Sequence, residues 1–277
     1  MALTATALDA IIALAIAEDV GSGDVTGEAT IPPVGNCAAA IIAKQPGVVA
    51  GIGVVEHVYR ALDPDAEVTA LVDDGVRIEG PVELAHIEGP ARAVLAGERT
   101  ALNLLGRLCG VATATRAYVD AVAGTGAGIL DTRKTMPGLR ELDKYAVACG
   151  GGVNHRMGLY DAFLIKDNHL RIAGGVRPAI ALARAAHPEL AITVEVEVLD
   201  QLREALECGA ERVMLDNMAL ATMHEAVAIV AGRAEVEASG GITLANVRDV
   251  ALTGVDVISV GAITHSAPWL DVSMEVT

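Results

Sequence analysis

"RVMLDNMALATMHEAVAIVAGRAEVEASGG", residues 212–241, contains two short aliphatic runs separated by a helix-length stretch. Each run ends on a polar or glycine residue, Asp216 for "RVMLD" and Gly241 for "AEVEASGG". Short apolar runs alternating with helical segments mark parallel βαβ units. Four more runs follow the same rule: "GILD" closing on Asp131, "AFLIK" on Lys166, "ITVEVE" on Glu197 and "DVISVG" on Gly261. Six such units predict a parallel α/β domain that presents its chemistry at the carboxyl ends of its strands, as an α/β barrel does. A doubly wound open sheet produces the same alternation. Polar ends on all six runs, instead of at one switch point, favour an incomplete α/β barrel.

The upstream part reads differently. Residues 1 to about 100 combine a helical opening with the strand-like runs "CAAAIIAKQPGVVAG", "AEVTALVDDG" and "PVELAHIEG", punctuated by Pro, Gly and Asp, which predicts a small α+β domain. The opening "MALTATALDAIIALAIAEDVG" lacks a basic leader and is interrupted by Asp9, Glu18 and Asp19, so it reads as an amphipathic helix and not as a secretory signal. No apolar run reaches membrane-spanning length.

Composition excludes several functions. With 36 acidic and 20 basic residues, a net charge of -16 argues against a nucleic-acid backbone or an anionic membrane as partner. Aromatics make up 2% of the chain, too few for base-stacking platforms. Cys37, Cys109, Cys149 and Cys208 show neither zinc spacing nor a disulfide framework, and a reducing cytoplasm fits them best.

Against that acidic background, cations cluster. Three of the four lysines, Lys134, Lys144 and Lys166, fall in one stretch with Arg133, Arg140, His155 and Arg156. Arg133 and Lys134 follow one strand and Lys166 ends the next, so they converge on one mouth, with "GGGVNHR" carrying His155 and Arg156 toward it. Such a set implies a ligand with several negative charges. Lys144, between "ELD" and "YAV", reads equally well as part of a solvated helix face, and His169 of "KDNH" reads as a loop-holding residue. Glu195 and Glu197 of "TVEVEV" share one face of a strand and, with Asp216, offer carboxylates to a divalent metal; a half-solvated strand is the alternative. The glycine-bearing turns "SGG" (239–241) and "VGA" (260–262), after the last two strands, suit a phosphate.

Together, "EDVGSGDVT", "GERTALNLLGRLCGVAT", "DTRKTMPGLRELDKYAVACGGGVNHRMGLYDAFLIKDNH", "VEVEV", "VMLDNM", "EASGGI" and "VDVISVGAITHS" resemble the quinolinate phosphoribosyltransferase family, the carboxylating nicotinate-nucleotide diphosphorylases. Cys109 stands where Ser is expected and Asp143 where Glu is usual. The resemblance implies an N-terminal α/β sandwich domain over 1–103, joined by the tail 270–277, and an incomplete barrel of about six parallel strands over 104–269. It implies conversion of quinolinate and phosphoribosyl pyrophosphate, with Mg²⁺, to nicotinate mononucleotide, pyrophosphate and CO₂ in NAD biosynthesis. It further implies a cytoplasmic homodimer with a shared active site, and leaves assembly into hexamers open.

Residue by residue, the resemblance implies that Arg133, His155, Arg156 and Lys166 grip the carboxylates, with Arg99 arriving from the partner subunit. Lys134 and Lys166 face the phosphoribosyl group and pyrophosphate, and Thr132 lies beside them in the substrate site. Glu195 and Asp216 bind the ribose hydroxyls and Mg²⁺, partly through water or substrate. Ser239, Gly240, Gly241, Val260, Gly261 and Ala262 take the 5′-phosphate, with His265 nearby. Lys134, Lys166, Glu195 and Asp216 are the expected catalytic set.

Overall fold

The computed structural model describes residues 5–277, so the first four positions of the expected N-terminal helix lie outside the described residues. In chain order the elements are α1 (Ala5–Asp19), α2 (Val25–Thr30), β1 (Asn36–Ala43), β2 (Gly47–Val48), α3 (Ile52–Leu62), β3 (Glu67–Ala70), β4 (Arg77–Ile78), β5 (Val82–Pro90) and α4 (Ala91–Ala121). There follow β6 (Gly128–Leu130), α5 (Arg140–Cys149), β7 (Phe163–Ile165), α6 (Asp167–Ala173), α7 (Val176–Ala186), β8 (Ile192–Val196), α8 (Leu199–Glu207) and β9 (Arg212–Asp216). The chain continues with α9 (Leu220–Val230), β10 (Glu235–Ser239), α10 (Val247–Ala251), β11 (Val257–Ser259), α11 (Ala262–His265) and β12 (Val272–Val276).

Two compact units result. The first comprises the chain up to Arg116 together with Thr135–Gly151 and Ile263–Thr277. Its main sheet is antiparallel in the order β12-β1-β5-β3. β12 pairs with β1 from Ala43↔Val272 to Ala39↔Val276, so the tail returns to the N-terminal sheet. Leu84, Ala85 and Ile87 of β5 and Val54, Val55, Val58 and Tyr59 of α3 are fully buried, giving the aliphatic core that the composition requires. α1 buries Leu8 and Ile12 along one stripe while Leu14 on its other side is 73% exposed. Asp24, in the "GSGDVT" stretch, caps α2 by accepting hydrogen bonds from the backbone N–H groups of Thr26 and Gly27.

The tail is also seated against α4. The N–H of Leu270 donates to Gly106 O at 2.9 Å, and a Cβ placed on Gly110 would stand 2.1 Å from Pro268 O. Neither backbone can yield cheaply. Gly110→Ala is therefore expected to lower stability by about 1–3 kcal/mol, the usual cost of overpacking, read as a lower urea midpoint at unchanged slope.

The second unit, Ala117–Lys134 and Gly152–Ala262, is a six-stranded, wholly parallel sheet in the order β6-β11-β10-β9-β8-β7. All six runs expected from the sequence are strands. Val153 adds a parallel bridge on the free side of β6, and among the described residues no pairing joins it to β7. The barrel is thus incomplete, as expected. Every residue of β8 is buried, as in parallel strands covered on both faces, which rules out the half-solvated alternative. Glu197 lies beyond the last residue of β8 and is exposed, so it does not share a strand face with Glu195.

Candidate active site

The carboxyl ends of the parallel strands carry most of the expected site residues along one edge of the sheet. Thr132, Arg133 and Lys134 follow β6, Lys166 follows β7, Glu195 is the penultimate residue of β8, Asp216 ends β9, Ser239 ends β10, and Val260 and Gly261 follow β11. Register ties them together. Glu195 is aligned with Met214 and Glu237, and Asp216 with Ser239.

Lys166 Nζ donates to Glu195 Oε2 at 2.9 Å. The lysine keeps an exposed ammonium while the carboxylate is largely buried, so a substrate can reach the cation and compete for it. His169 Nδ1 accepts from Lys166 N at 3.0 Å at the start of α6, which makes His169 the loop-holding residue anticipated. Thr132 Oγ1 accepts from Lys134 N at 3.0 Å and shapes the turn that presents Arg133 and Lys134.

His155 and Arg156 are held by the loop before β7. Asp131, fully buried after β6, accepts from His155 N at 2.8 Å and from Asn154 Nδ2 at 2.7 Å. Arg156 Nη1 donates to Ala162 O at 3.0 Å, whereas its Nε is buried with no hydrogen-bond partner among the described residues. Burial, and then the neighbouring Arg133 cation, press the Arg156 guanidinium below its ordinary range, partly offset by Asp161. Asp161 also closes the turn by accepting from Met157 N and Gly158 N. Burial, the largest single influence, would raise its carboxyl, but the N–H groups of Gly158, Met157 and Asp161 together with the Arg156 cation hold it below the usual range.

The first glycine turn takes the left-handed backbone that glycine permits. Gly240 and Gly241 adopt φ of 92° and 62°, and a Cβ on Gly240 would sit 2.2 Å from Asn217 Oδ1. Asn217, itself left-handed at φ 51°, backs the turn and donates to Asp216 Oδ2 at 2.8 Å. Its N–H also donates to Ser239 O at 2.9 Å. Val260 N donates to Leu130 O at 2.9 Å, which anchors the second turn beside β6.

Not every expected residue lies in this unit. Arg99, on α4 and 3.7 Å from Glu98, and His265, bonded to Ser266 Oγ at 2.6 Å, belong to the first unit. Lys144, a candidate for a solvated helix face, is fully buried in α5. The sequence marked Asp131 only as the polar end of its strand and passed over Asn217 and Glu237; all three shape the site. The period-two spacing of Glu235, Glu237 and Ser239 was the available signal for Glu237.

Glu195 and Asp216 are the carboxylates available to a divalent ion; among the described residues no group of three or more His, Cys, Asp or Glu side chains forms a metal cage. This donor set fits Mg²⁺, which commonly binds one or two protein carboxylates and completes its shell with water and substrate phosphate oxygens.

Comparison with known proteins agrees with this geometry. Residues 24–109 match the family described as "Quinolinate phosphoribosyl transferase, N-terminal domain", and residues 111–275 match its C-terminal domain. A Bacillus subtilis protein named "Probable nicotinate-nucleotide pyrophosphorylase [carboxylating]" is 42% identical over 94% of this chain and 90% of its own length. The chloroplastic nicotinate-nucleotide pyrophosphorylase [carboxylating] of Oryza sativa subsp. japonica is 42% identical over 97% of this chain and 77% of its own length. The crystal structure of NadC from Streptococcus pyogenes is similar at a TM-score of 0.96 and 39% identity, covering 100% of this chain and 99% of that one. The nicotinate-nucleotide pyrophosphorylase structure from Francisella tularensis gives a TM-score of 0.96 at 36% identity, covering 100% and 98%. The six parallel strands, the cations at their carboxyl ends and both family matches together make this chain a member of the quinolinate phosphoribosyltransferase family.

Proposed function

We infer that the chain joins quinolinate to phosphoribosyl pyrophosphate, releasing pyrophosphate and CO₂ and forming nicotinate mononucleotide for NAD biosynthesis. The observation that carries this reading is the Arg133–Arg156 pair: two mutually repelling guanidinium groups, one with a buried Nε lacking a partner. A dicarboxylate relieves the repulsion and supplies the missing acceptor.

In this scheme Arg133, Arg156 and Lys166 hold the two carboxylates, and His155 lines the same subsite. Lys134 and Lys166 face the phosphoribosyl and pyrophosphate groups, and the turns at Ser239–Gly241 and Val260–Ala262 receive the 5′-phosphate. Glu195 and Asp216 bind the ribose hydroxyls and, through water or substrate oxygens, Mg²⁺. The ion would supply charge neutralisation for the departing pyrophosphate. Lys134 and Lys166 stabilise the same leaving charge while the ring nitrogen attacks C1. The carboxylate next to that nitrogen then leaves as CO₂; the electron pair left on its ring carbon is stabilised by the adjacent positive nitrogen and takes up a proton to give the product C–H. Orientation and electrostatics do the catalysis, with no covalent enzyme intermediate. Burial pushes the Cys109 thiol up to about 12 and Cys149 to about 11, so neither is a ready nucleophile at neutral pH.

The proposal extends to a homodimer in which Arg99 of the partner subunit completes the quinolinate subsite, supported by the exposed position of Arg99 on α4. No helix among the described residues is long and apolar enough to cross a membrane. The free thiols of Cys37, Cys109, Cys149 and Cys208 support a reducing compartment, and the cytoplasm is the proposed location.

The test is product stoichiometry. Mixing the protein with quinolinate, phosphoribosyl pyrophosphate and Mg²⁺ should release CO₂ and pyrophosphate in equal amounts, and neither without quinolinate. Pyrophosphate release without CO₂ would assign a different acceptor.

A further inference from the structure

We propose that Glu237 is a positioning residue for quinolinate binding, acting through His155 on Arg156; this rests on the functional reading above. Glu237 stands in the middle of β10 with its side chain 0% exposed. Three groups converge on it: the hydroxyl of Ser259 donates to Oε1, Arg212 Nη1 lies 3.5 Å from Oε2, and His155 Nε2 lies 3.4 Å from Oε2. A buried carboxylate is costly to desolvate, and added negative charge beside a dianion subsite weakens binding unless the charge does something else. Its contacts show what that is.

His155 Nδ1 accepts a hydrogen bond from Arg156 N at 2.7 Å. A ring nitrogen that accepts carries no hydrogen, so the imidazole hydrogen resides on Nε2, the atom facing Glu237. The Nε2–Oε2 approach of 3.4 Å is electrostatic and not a hydrogen bond; the negative carboxylate beside Nε2 favours the tautomer whose Nδ1 can hold the Arg156 backbone. Asp131 fixes the same residue from the other side, through His155 N. The ring, only 8% exposed, is a strut between a carboxylate clamped inside the sheet and the backbone of the arginine that meets substrate. Ser259, from β11, and Arg212, from β9 and also bonded to Glu235 at 2.6 Å, keep the carboxylate from turning away.

The experiment compares Glu237→Gln, Arg156→Ala and the double variant of the full chain in steady-state assays with quinolinate, phosphoribosyl pyrophosphate and Mg²⁺. Glutamine keeps the volume and an acceptor for Ser259 while removing the charge. Glu237→Gln is expected to raise the quinolinate KM by about tenfold and leave the phosphoribosyl pyrophosphate KM unchanged. In the Arg156→Ala background that increment should vanish, because a residue acting through Arg156 has nothing left to position. Ser259→Ala, which frees the carboxylate without removing it, should show the same selectivity at smaller size, and it serves as the test if Glu237→Gln does not fold. An unchanged quinolinate KM in Glu237→Gln, an equal rise in both KM values, or an additive effect in the double variant would overturn the proposal while Arg156→Ala still impairs quinolinate binding. Arg156→Ala with an unaltered quinolinate KM would instead overturn the functional reading, and this inference with it.

Discussion

Arg156→Ala is expected to raise the quinolinate KM by about 100-fold or more while the phosphoribosyl pyrophosphate KM stays within roughly threefold. Hydrogen bonds to a charged group contribute about 1.5–3 kcal/mol each, and a guanidinium fork on a carboxylate makes two. The loss should be confined to one substrate because Arg156 stands on the loop before β7, whereas the turns proposed for the 5′-phosphate follow β10 and β11. Arg156→Lys should recover part of the affinity, since it restores the charge but not the planar fork. Calorimetric titration with quinolinate checks the direction independently of turnover. Equal weakening of both substrates would mean that Arg156 holds the loop and not the ligand.

The second large effect concerns stability. Asp143 is fully buried in α5 and accepts two bonds from Arg107 of α4, Nε to Oδ1 at 2.9 Å and Nη2 to Oδ2 at 2.7 Å. It also accepts from Met136 N at 3.1 Å. Asp143→Ala leaves a guanidinium that is 11% exposed and a backbone N–H without their acceptor. Removing one partner of a buried pair costs about 3–5 kcal/mol, which for a chain of this size lowers the midpoint of thermal unfolding by roughly 10 °C. Replacing both partners with apolar residues should restore much of the loss, because the larger share of it is an uncompensated charge. A drop of under about 1 kcal/mol would show that water reaches Arg107 when Asp143 is gone.

The parallel unit was legible because each strand is short, aliphatic and closed by a polar residue, so local pattern and tertiary position agree. From "GILD" to "DVISVG" the six runs needed no long-range information. The residues at strand ends could be placed for the same reason. Lys144 was not legible: "RELDKYAVAC" has the charges of a solvated helix, and only packing from distant sequence buries Leu142, Asp143 and Lys144 together. Nor does the sequence announce that the chain leaves the parallel unit after Lys134 and rejoins it at Gly152. Glu197 misled because alternation holds only while the strand lasts, and β8 stops at Val196. Cys109, a departure from the family pattern, keeps a hydroxyl-like role: its sulfur accepts from Ala50 N at 3.3 Å and donates to Ala50 O at 3.5 Å.

The pairing of β12 with β1 sets an order of events at the ribosome. β12 is synthesised after every strand of the parallel sheet, so that sheet can assemble from neighbouring βαβ units while the antiparallel sheet still lacks an edge. Until Val272–Val276 emerges, one side of β1 offers unpaired N–H and C=O groups, the kind of edge that recruits other chains. In that interval this open edge is where the nascent protein is open to self-association.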